Sequence, residues 1–541
     1  MIASIPFMRF SRSILFVCIF VLCTASFSVS EVLAEPAEKY PEGCTTITIG
    51  RLASTDGSVM TSHTCDGHDG RTWIDIVPHM KHPKGSENLI FLKTDYMIEM
   101  GDTTGLVYTG SIPQVPETYG HINSIYPCIN EHQLAIGEST FGGKKELKSD
   151  KGMINCYELT RILAERCRTA REAIKLAGEL LEKYGYNDDG ECLTFADTKE
   201  VWHFEVLGPG QGNIGAVWAA QRVPDDHVSI NANGSRIRRI DLKDKDNFMA
   251  SKNVFKAAEK LGLWDPKSGK PFEFCYVYAD RKSMWARRRE WRVFDILAPS
   301  LELDPNGENF PFSVKPEHKV SVEDLMEIFA DTYEDTEYDM TKFMLITDEE
   351  GKTVKSPYAN PFMNYDQMPL WKINGALHKM GERTIARYYC IYIFISQSRD
   401  WLPDPIGGLV WLGWDNPAMT CHVPLYCCVK ELPESFRVGG KGGRPAYTRE
   451  SAWWAVNRVS TIAAHRWGDM RHDVAEVRDP IRRQAFDDQK RIEDEALRLY
   501  RENPQKAIEH LTRYSCDLGS KITDAYWKLG DHLWTKWDEK F

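Results

Sequence analysis

Residues 42–70 read EGCTTITIGRLASTDGSVMTSHTCDGHDG, and this stretch decides the fold that we expect. Two runs within it, TTITIGRL and SVMTSHTC, are rich in β-branched residues, and an Asp-Gly pair lies between them. This composition predicts two β-strands joined by a turn. A cysteine, Cys44, stands at the head of the first predicted strand, which therefore presents a thiol at its amino end.

Strand-like and helix-like segments form clusters along the rest of the chain. Residues 157–185 have apolar side chains at near-helical spacing, residues 191–233 contain a second group of strands, and a helical segment is expected near 247–262. From about Trp453 to the C-terminus the periodicity is again helical. Because the strands and helices do not alternate as β–α–β units, the order predicts an α+β fold with stacked antiparallel layers.

The N-terminus has the pattern of a secretory signal peptide. Arg9 and Arg12 give a positive segment, an apolar run follows over 13–27, and VLA at 32–34 offers a small-residue cleavage site. The run is shorter than the roughly 20 residues that a membrane-spanning helix needs. We therefore expect residues 1–34 to be a signal peptide and the protein to be exported, to the periplasm or the medium, without stable membrane insertion after processing.

The acidic net charge of the chain limits the kinds of molecule that it is expected to bind. The formal net charge of the 541-residue chain is −11. An acidic surface repels the phosphates of nucleic acids, so no nucleic acid is expected as a partner. Formation of a homo-oligomer is left open by the sequence.

The position of Cys44 points to nucleophilic chemistry. A thiol attacks only as the thiolate and needs a base close by. If the chain is cut between Gly43 and Cys44, the new α-amine lies on the same residue as the thiol, and its pKa of about 7.7–8.0 suits proton transfer. Gly43 leaves the carbonyl at that bond unshielded by a Cβ. The alternative is a strand cysteine that is simply buried or disulfide-bonded.

The run CTTITIGRLASTDGSVMTSH resembles the start of the mature cysteine dipeptidases among the N-terminal-nucleophile hydrolases, the dipeptidase A and secernin group. This group is related to penicillin V acylase and bile salt hydrolase. The resemblance runs from Cys44 nearly to the C-terminus. Six further segments carry it in order: INEHQLAIGEST (129–140), RVPDDHVSINANGSRI (222–237), WARRREWRVFDILAPS (285–300), YEDTEYDMT (333–341), RDWLPDPIGGLVWLGWDNPAMTCHVPLY (399–426) and WWAVNRVS (453–460).

The resemblance implies a fold, an activity and a domain order. The fold is a four-layer αββα sandwich over residues 44–455, with a helical C-terminal region, 456–541, packed on it. The activity is hydrolysis of the peptide bond of small dipeptide substrates through an acyl-enzyme on Cys44, without a metal or an organic cofactor. Residues 35–43 would then be a propeptide that is removed by autoprocessing.

The resemblance also implies roles for further residues. Related acylases carry an arginine and an aspartate on the second strand, and these positions fall here on His63 and Asp66. Asn233 matches the asparagine that helps to form the oxyanion pocket, and Thr140 lies near the position of a second oxyanion asparagine. Arg287 aligns best with an active-site arginine, with Arg288 and Arg289 as open alternatives.

Four alternatives accompany this interpretation. HTCDGHD (63–69) has the residue types of a zinc site, and GQGNIG (210–215) has the glycine pattern of a dinucleotide-binding loop, although a strand-like run follows it where that loop needs a helix. A related enzyme class, the amidases or acylases acting on N-acyl amides, uses the same scaffold. A non-catalytic exported binding protein on this scaffold is the fourth.

Overall fold

The computed structural model describes residues 43–68, 70–92, 97–98, 100–362, 382–438 and 446–540. The predicted signal peptide and all of the predicted propeptide except Gly43 lie outside these residues. Within them, the strands are β1 (Gly43–Ile49), β2 (Ser62–Asp66), β3 (Asp75–Val77), β4 (Met80–Lys81), β5 (Glu87–Leu92), β6 (Val107–Pro113), β7 (Glu117–Thr118), β8 (His121–Asn123), β9 (Pro127–Asn130), β10 (Ala135–Gly142), β11 (Gly190–Ala196), β12 (Val201–Leu207), β13 (Val217–Val223), β14 (Val228–Asn231), β15 (Phe248–Ala250), β16 (Ser313–Val314), β17 (Leu345–Thr347), β18 (Thr353–Lys355), β19 (Cys390–Gln397), β20 (Leu409–Trp414) and β21 (Val423–Tyr426).

The helices of the described residues are α1 (Cys156–Arg166), α2 (Ala170–Tyr184), α3 (Val254–Lys260), α4 (Phe274–Val277), α5 (Met284–Leu297), α6 (Val322–Phe329), α7 (Asp404–Gly407), α8 (Ala452–His465), α9 (Trp467–Glu502) and α10 (Pro504–Lys536). Short 3-10 helices lie at Lys145–Leu147, Pro266–Ser268, Pro299–Leu301 and Glu434–Phe436. No helix in this part of the chain is long and apolar enough to cross a lipid bilayer.

Two antiparallel sheets form the centre of the protein. One has the strand order β16-β14-β1-β2-β19-β20-β21, and the other has the order β15-β13-β12-β11-β10-β9-β8-β3. Strands β1 and β2 contact β10 of the other sheet, so the two sheets face each other. The antiparallel α+β class is therefore confirmed.

Helices cover the outer sides of both sheets. Helices α1 and α2 contact strands β9 to β12 of the eight-stranded sheet, while α8 and α10 contact β20 and β21 of the seven-stranded sheet. The predicted helical C-terminal region is confirmed, and α10 starts at Pro504 behind an Asn503 side chain that caps its first turn. Helix α8 runs across the boundary that we expected between residues 455 and 456.

The long helix predicted over 157–185 is two helices in the structure. The backbone at Cys167 is extended, which ends α1, and the Thr169 side chain accepts a hydrogen bond from the backbone N–H of Glu172 to start α2. A threonine at this cap position satisfies a backbone donor that a continuous helix would satisfy itself. The spacing of apolar residues does not reveal this break, because the buried apolar positions of α1 and α2 continue one near-helical repeat along the sequence.

The interior between the sheets contains polar as well as apolar side chains. The Thr194 hydroxyl lies 2.6 Å from the Thr61 hydroxyl and 3.2 Å from that of Thr46, and the Thr48 hydroxyl lies 2.9 Å from Nε2 of His203. Thr46 and Thr48 are two positions apart on β1, so both side chains lie on the same face of the strand, the one directed at the other sheet. Cys44 lies on this same face, so its side chain points between the sheets.

Candidate active site

Cys44 is buried at the start of β1, between β14 and β2 of the seven-stranded sheet. Its backbone N–H donates to Oδ1 of Asn233 at 3.2 Å, and its carbonyl accepts from Arg289 at 2.8 Å. Its thiol donates to Oε2 of Glu138 at 3.0 Å. The amide, the carbonyl and the sulfur of one residue are thus each held by a different side chain.

Asn233 reaches Cys44 from the turn after β14. Its backbone has φ of 62°, the left-handed conformation that asparagine tolerates better than most residues. The Ser139 hydroxyl accepts from the Asn233 N–H at 2.9 Å, and the Asn233 side-chain amide donates to the Thr140 carbonyl at 2.7 Å. The predicted Asn233 and Thr140 therefore lie together beside Cys44, linked by this hydrogen bond.

Helix α5 brings Arg289, and not Arg287, to Cys44. Arg289 also donates to Oγ1 of Thr45 and to Oδ1 of Asn233, both at 2.8 Å. Arg287 instead donates to the carbonyls of Asn306 and Gly307 at 2.9 and 2.6 Å. The assignment of Arg287 to the site is corrected, because side chains two positions apart on a helix leave it about 200° apart. Of the three arginines that the sequence left open, Arg289 is the one in contact with the thiol-bearing residue.

His63 lies beside the sulfur and forms an ion pair with Glu138. Its Nε2 is 3.3 Å from Oε2 of Glu138, and its Nδ1 is 3.2 Å from the Tyr392 hydroxyl. Burial alone lowers the pKa of His63, but the Cys44 sulfur and the Glu138 carboxylate raise it to about 9. A protonated His63 would therefore place a positive charge next to the Cys44 sulfur and the Glu138 carboxylate.

Glu138 interacts with a second buried carboxyl group, that of Glu191, and the two shift each other's pKa in opposite directions. Burial opposes ionisation of Glu138, but hydrogen bonds from Glu191, His63 and Cys44 lower its pKa below the ordinary value. Burial and the charge of Glu138 raise the pKa of Glu191 well above its ordinary value. The site would thus contain one carboxylate next to one imidazolium, and burying this pair costs less free energy than burying two carboxylates.

Burial opposes ionisation of the Cys44 thiol. Burial, the hydrogen bond with Cys65 and the charge of Glu138 raise the pKa of the Cys44 thiol well above its ordinary value, while His63 opposes this shift. The thiol hydrogen is already directed at Glu138. Transfer of that proton to the carboxylate would leave a thiolate next to an imidazolium.

Asp66 lies on β2, directly opposite Gly43 in the strand register. Arg383 donates to its Oδ2, and its Oδ1 is buried without a hydrogen-bond donor among the described residues. The predicted Asp66 therefore lies next to the Gly43–Cys44 peptide bond rather than at the sulfur. Its guanidinium partner comes from a distant part of the chain and not from the same strand.

The His63 ion pair predicts a pH dependence of stability. A histidine in the unfolded chain titrates near pH 6.5, so the stabilisation from the raised pKa of His63 is fully present below that pH and is lost as the pH rises towards 9. We expect the difference in unfolding free energy between the wild type and His63→Gln to narrow by roughly 2 kcal/mol from pH 6 to pH 8. Urea unfolding at fixed pH measures it.

His203→Gln is the matched control for this pH dependence. Burial lowers the pKa of His203 to about 3, so its stabilising effect increases with pH over the same interval. The difference between wild type and His203→Gln should therefore widen. Parallel curves for wild type and His63→Gln would show that His63 carries no extra proton in the folded chain.

The two rival motifs do not have the arrangements that their sequence patterns suggested. The His68 ring packs against the Tyr389 ring, with centroids 4.0 Å apart, and Asp69 lies outside the described residues. His63 and Cys65 share one face of β2, as the motif predicted, but their neighbours are Cys44 and Glu138. Residues 210–215 form turns that lead into strand β13, so the helix that a dinucleotide-binding loop requires does not follow them.

Sequence reasoning missed Glu138, which approaches Cys44 from the opposite sheet. A weak signal was present, since Glu138 is a carboxylate within the buried part of β10. Burying a charge without a partner is costly, so a glutamate in such a strand indicates a paired charge elsewhere in the core. The sequence could not say which residue pairs with it.

Comparison with known proteins places this arrangement in a peptidase class. The sequence model of Peptidase family C69 matches residues 43–479. A probable dipeptidase of Latilactobacillus sakei is 26% identical over 439 residues, which cover 79% of this chain and 82% of the relative. Dipeptidase A of Lactobacillus helveticus is 24% identical over 431 residues, covering 77% and 81%.

The family match begins at Gly43, one residue before Cys44, and continues into helix α9. A probable dipeptidase B of Lactococcus lactis subsp. lactis is 26% identical over 447 residues, which cover 80% of this chain and 82% of the relative. The chain belongs to peptidase family C69.

Proposed function

We propose that this protein is a cysteine dipeptidase whose nucleophile is Cys44. The observation that carries the proposal is the set of contacts around this one residue: Asn233 at its N–H, Arg289 at its carbonyl and Glu138 at its thiol. Membership of family C69 and similarity to proteins named as dipeptidases support the substrate class. An N-acyl amidase on the same scaffold is the alternative that the experiment below separates.

Self-cleavage at the Gly43–Cys44 bond is the proposed first reaction. As the thiol proton passes by way of Glu138 towards the Cys44 nitrogen, the sulfur, which lies next to the His63 imidazolium, attacks the Gly43 carbonyl carbon. The C–N bond breaks as the Cys44 nitrogen takes up a proton, which leaves a thioester between Gly43 and the sulfur. Water hydrolyses the thioester and releases a carboxyl group on Gly43, a free thiol and a free α-amine on Cys44.

The same groups then act on a dipeptide. The α-amine of Cys44 takes the thiol proton, and the thiolate attacks the peptide carbonyl carbon of the substrate. The α-amine returns the proton to the leaving amine, and water hydrolyses the acyl-enzyme. Asn233 orients the α-amine through its Oδ1, and Arg289 fixes the position of the Cys44 carbonyl.

The facing sheets with helices on both outer sides support an αββα N-terminal-nucleophile sandwich as the fold. A central strand that starts with the nucleophile is what this fold requires, and β1 meets that requirement. Export through a signal peptide at residues 1–34 is part of the proposal and is supported by the charge and apolar pattern of that segment.

The substrate class is tested by comparing two panels. The purified chain is incubated with unblocked dipeptides and, separately, with N-acyl amides of the same residues, and released amino acids or acids are measured by mass spectrometry. Hydrolysis of dipeptides at least about tenfold faster in kcat/KM supports the proposal. A preference for the acyl amides would assign the chain to the amidases, and no hydrolysis in either panel by protein cleaved before Cys44 would favour a binding protein.

Replacing Gly43 by alanine is expected to slow self-cleavage. A Cβ at this position would overlap the Asn233 side chain, with Cγ and Nδ2 only 2.8 Å away. The peptide bond must then shift relative to the sulfur, and a displacement of about 1 Å costs about 100-fold in rate. Intact-mass measurement over time gives the cleavage rate.

The Gly43→Ala result is interpreted with folding monitored in the same sample. The variant should retain the thermal unfolding transition of the wild type to within a few degrees, because the change affects one contact at the end of β1. Cleavage before Cys44 at the wild-type rate would contradict the role that we give to the close contact with Asn233.

A further inference from the structure

Three metal-ligating side chains meet in the interior between the two sheets. The ligand atoms of Cys44, His63 and Cys65 all lie within 4.8 Å of one another, and all three residues are buried. The strand register creates the group, because Cys44 and Cys65 are direct partners across β1 and β2. His63 precedes Cys65 by two positions on β2 and therefore points to the same side.

Glu138 of the other sheet lies next to two of these three ligands. Its Oε2 lies 3.0 Å from the Cys44 sulfur and 3.3 Å from Nε2 of His63. Around a tetrahedral zinc ion with bonds of about 2.0–2.3 Å, neighbouring ligand atoms are about 3.3–3.8 Å apart. The contacts from Glu138 to Cys44 and His63 are therefore close to the edge lengths of such a tetrahedron, and Cys65 and Glu138 would have to approach each other by side-chain rotation as the ion binds.

The surroundings of these ligands favour a metal as well. Nε2 of His63 is fully buried and makes no hydrogen bond of good geometry within the described residues, although Oε2 of Glu138 lies 3.3 Å away and the Cys44 sulfur is also beside the ring. The Tyr392 hydroxyl contacts the other ring nitrogen, and the Thr140 hydroxyl donates to Oε1 of Glu138 at 3.1 Å. Outer contacts of this kind orient the histidine and carboxylate ligands of metal sites.

We propose that Cys44, His63, Cys65 and Glu138 form a binding site for a zinc ion. Two thiolates and one imidazole select zinc over magnesium or calcium, which prefer oxygen ligands. Both thiols give up their protons and His63 binds in its neutral form, so protons are released as the ion is taken up. The bound ion occupies the electron pair of the Cys44 sulfur that would attack a substrate.

Zinc is therefore expected to inhibit the enzyme reversibly. This consequence rests on the proposed function, because it requires Cys44 to be the nucleophile. The binding itself does not rest on it, since it needs only the four side chains. Zinc acts here as an inhibitor that competes for the nucleophile and not as a cofactor of hydrolysis.

Cobalt binding tests the site without any activity measurement. Titration of the purified, reduced chain with Co²⁺ should give one equivalent of a tetrahedral complex, seen as thiolate-to-cobalt charge transfer in the near ultraviolet and d–d bands in the visible, and Zn²⁺ should displace it. Cys65→Ala should weaken binding by at least about 100-fold, since removal of an outer contact alone costs 10–100-fold. Cys516→Ala removes a thiol on α10 and should bind as the wild type does.

Measurements of dipeptide hydrolysis distinguish the zinc site from the proposed dipeptidase function. Zinc should inhibit dipeptide hydrolysis, EDTA should restore it, and the inhibitory concentration should rise at least about 100-fold in Cys65→Ala relative to Cys516→Ala. Equal inhibition of these two variants, or a cobalt spectrum that Cys65→Ala leaves unchanged, would overturn the site. A cobalt complex in a chain that hydrolyses no dipeptide would support the site and refute the dipeptidase assignment.

Discussion

Cys44→Ala is expected to lower dipeptide turnover by a factor of about 10⁴ or more and to leave the chain uncut before residue 44. Alanine has no nucleophile, so neither the thioester with Gly43 nor the acyl-enzyme with a substrate can form. Folding should persist, because the change removes one sulfur from a site whose backbone contacts to Asn233 and Arg289 remain. Turnover and intact mass are measured on the same preparation.

Cys128→Ala is the matched control for Cys44→Ala. Cys128 is a fully buried strand cysteine, on β9, so its removal tests the effect of losing any core thiol. The control should lose about 1 kcal/mol of stability and keep its turnover. If Cys44→Ala hydrolysed dipeptides at the rate of Cys128→Ala, the nucleophile would have to be sought elsewhere in the chain.

Arg289→Met is expected to cost both activity and stability. Its guanidinium satisfies the carbonyls of Cys44 and Ala232 and the side-chain oxygens of Thr45 and Asn233, all in the buried interior. Methionine removes the guanidinium donor from all four acceptors, and we expect a loss of roughly 3–5 kcal/mol in the free energy of unfolding. We also expect kcat/KM to fall at least about 100-fold, because the nucleophile is no longer held in position.

Arg287→Met separates the role of Arg289 from that of a buried arginine in general. Arg287 is on the same helix and is also buried, but it donates to the carbonyls of Asn306 and Gly307. We expect some loss of stability and a kcat/KM within about threefold of the wild type. Arg289→Lys, which keeps the charge, provides the comparison if Arg289→Met does not fold. A larger loss of kcat/KM in Arg287→Met than in Arg289→Lys would reverse the assignment.

Local patterns predicted much of the fold. The β-branched runs that follow Cys44 form β1 and β2, and the apolar periodicity after Trp453 forms helices α8 to α10. Periodicity alone did not find the break between α1 and α2, because it depends on a single cap at Thr169. A side chain that satisfies one backbone N–H leaves no trace in the spacing of apolar residues.

The site was only partly visible in the sequence. The resemblance pointed to both Cys44 and Asn233, and the structure joins them by a hydrogen bond although 189 positions separate them. Three consecutive arginines could not be told apart, because only the rotation of α5 decides which of them reaches β1. Glu138 and Arg383 contact the site through the packing of one sheet on the other and through a distant segment, neither of which follows from a local pattern.

Strand β1 pairs with β2 over residues 43–45 and with β14 over residues 46–49, and the Cys44 N–H is held by Asn233 just beyond β14. Chain ends usually fray, since nothing beyond the last residue holds them. An end created at Cys44 would instead belong to an inner strand whose neighbours immobilise it before any substrate arrives. The conformational entropy of this terminus is then lost once, during folding, and not again in each catalytic cycle. The sulfur and the amine are therefore already in position when a substrate binds, and their effective concentration at the substrate is higher.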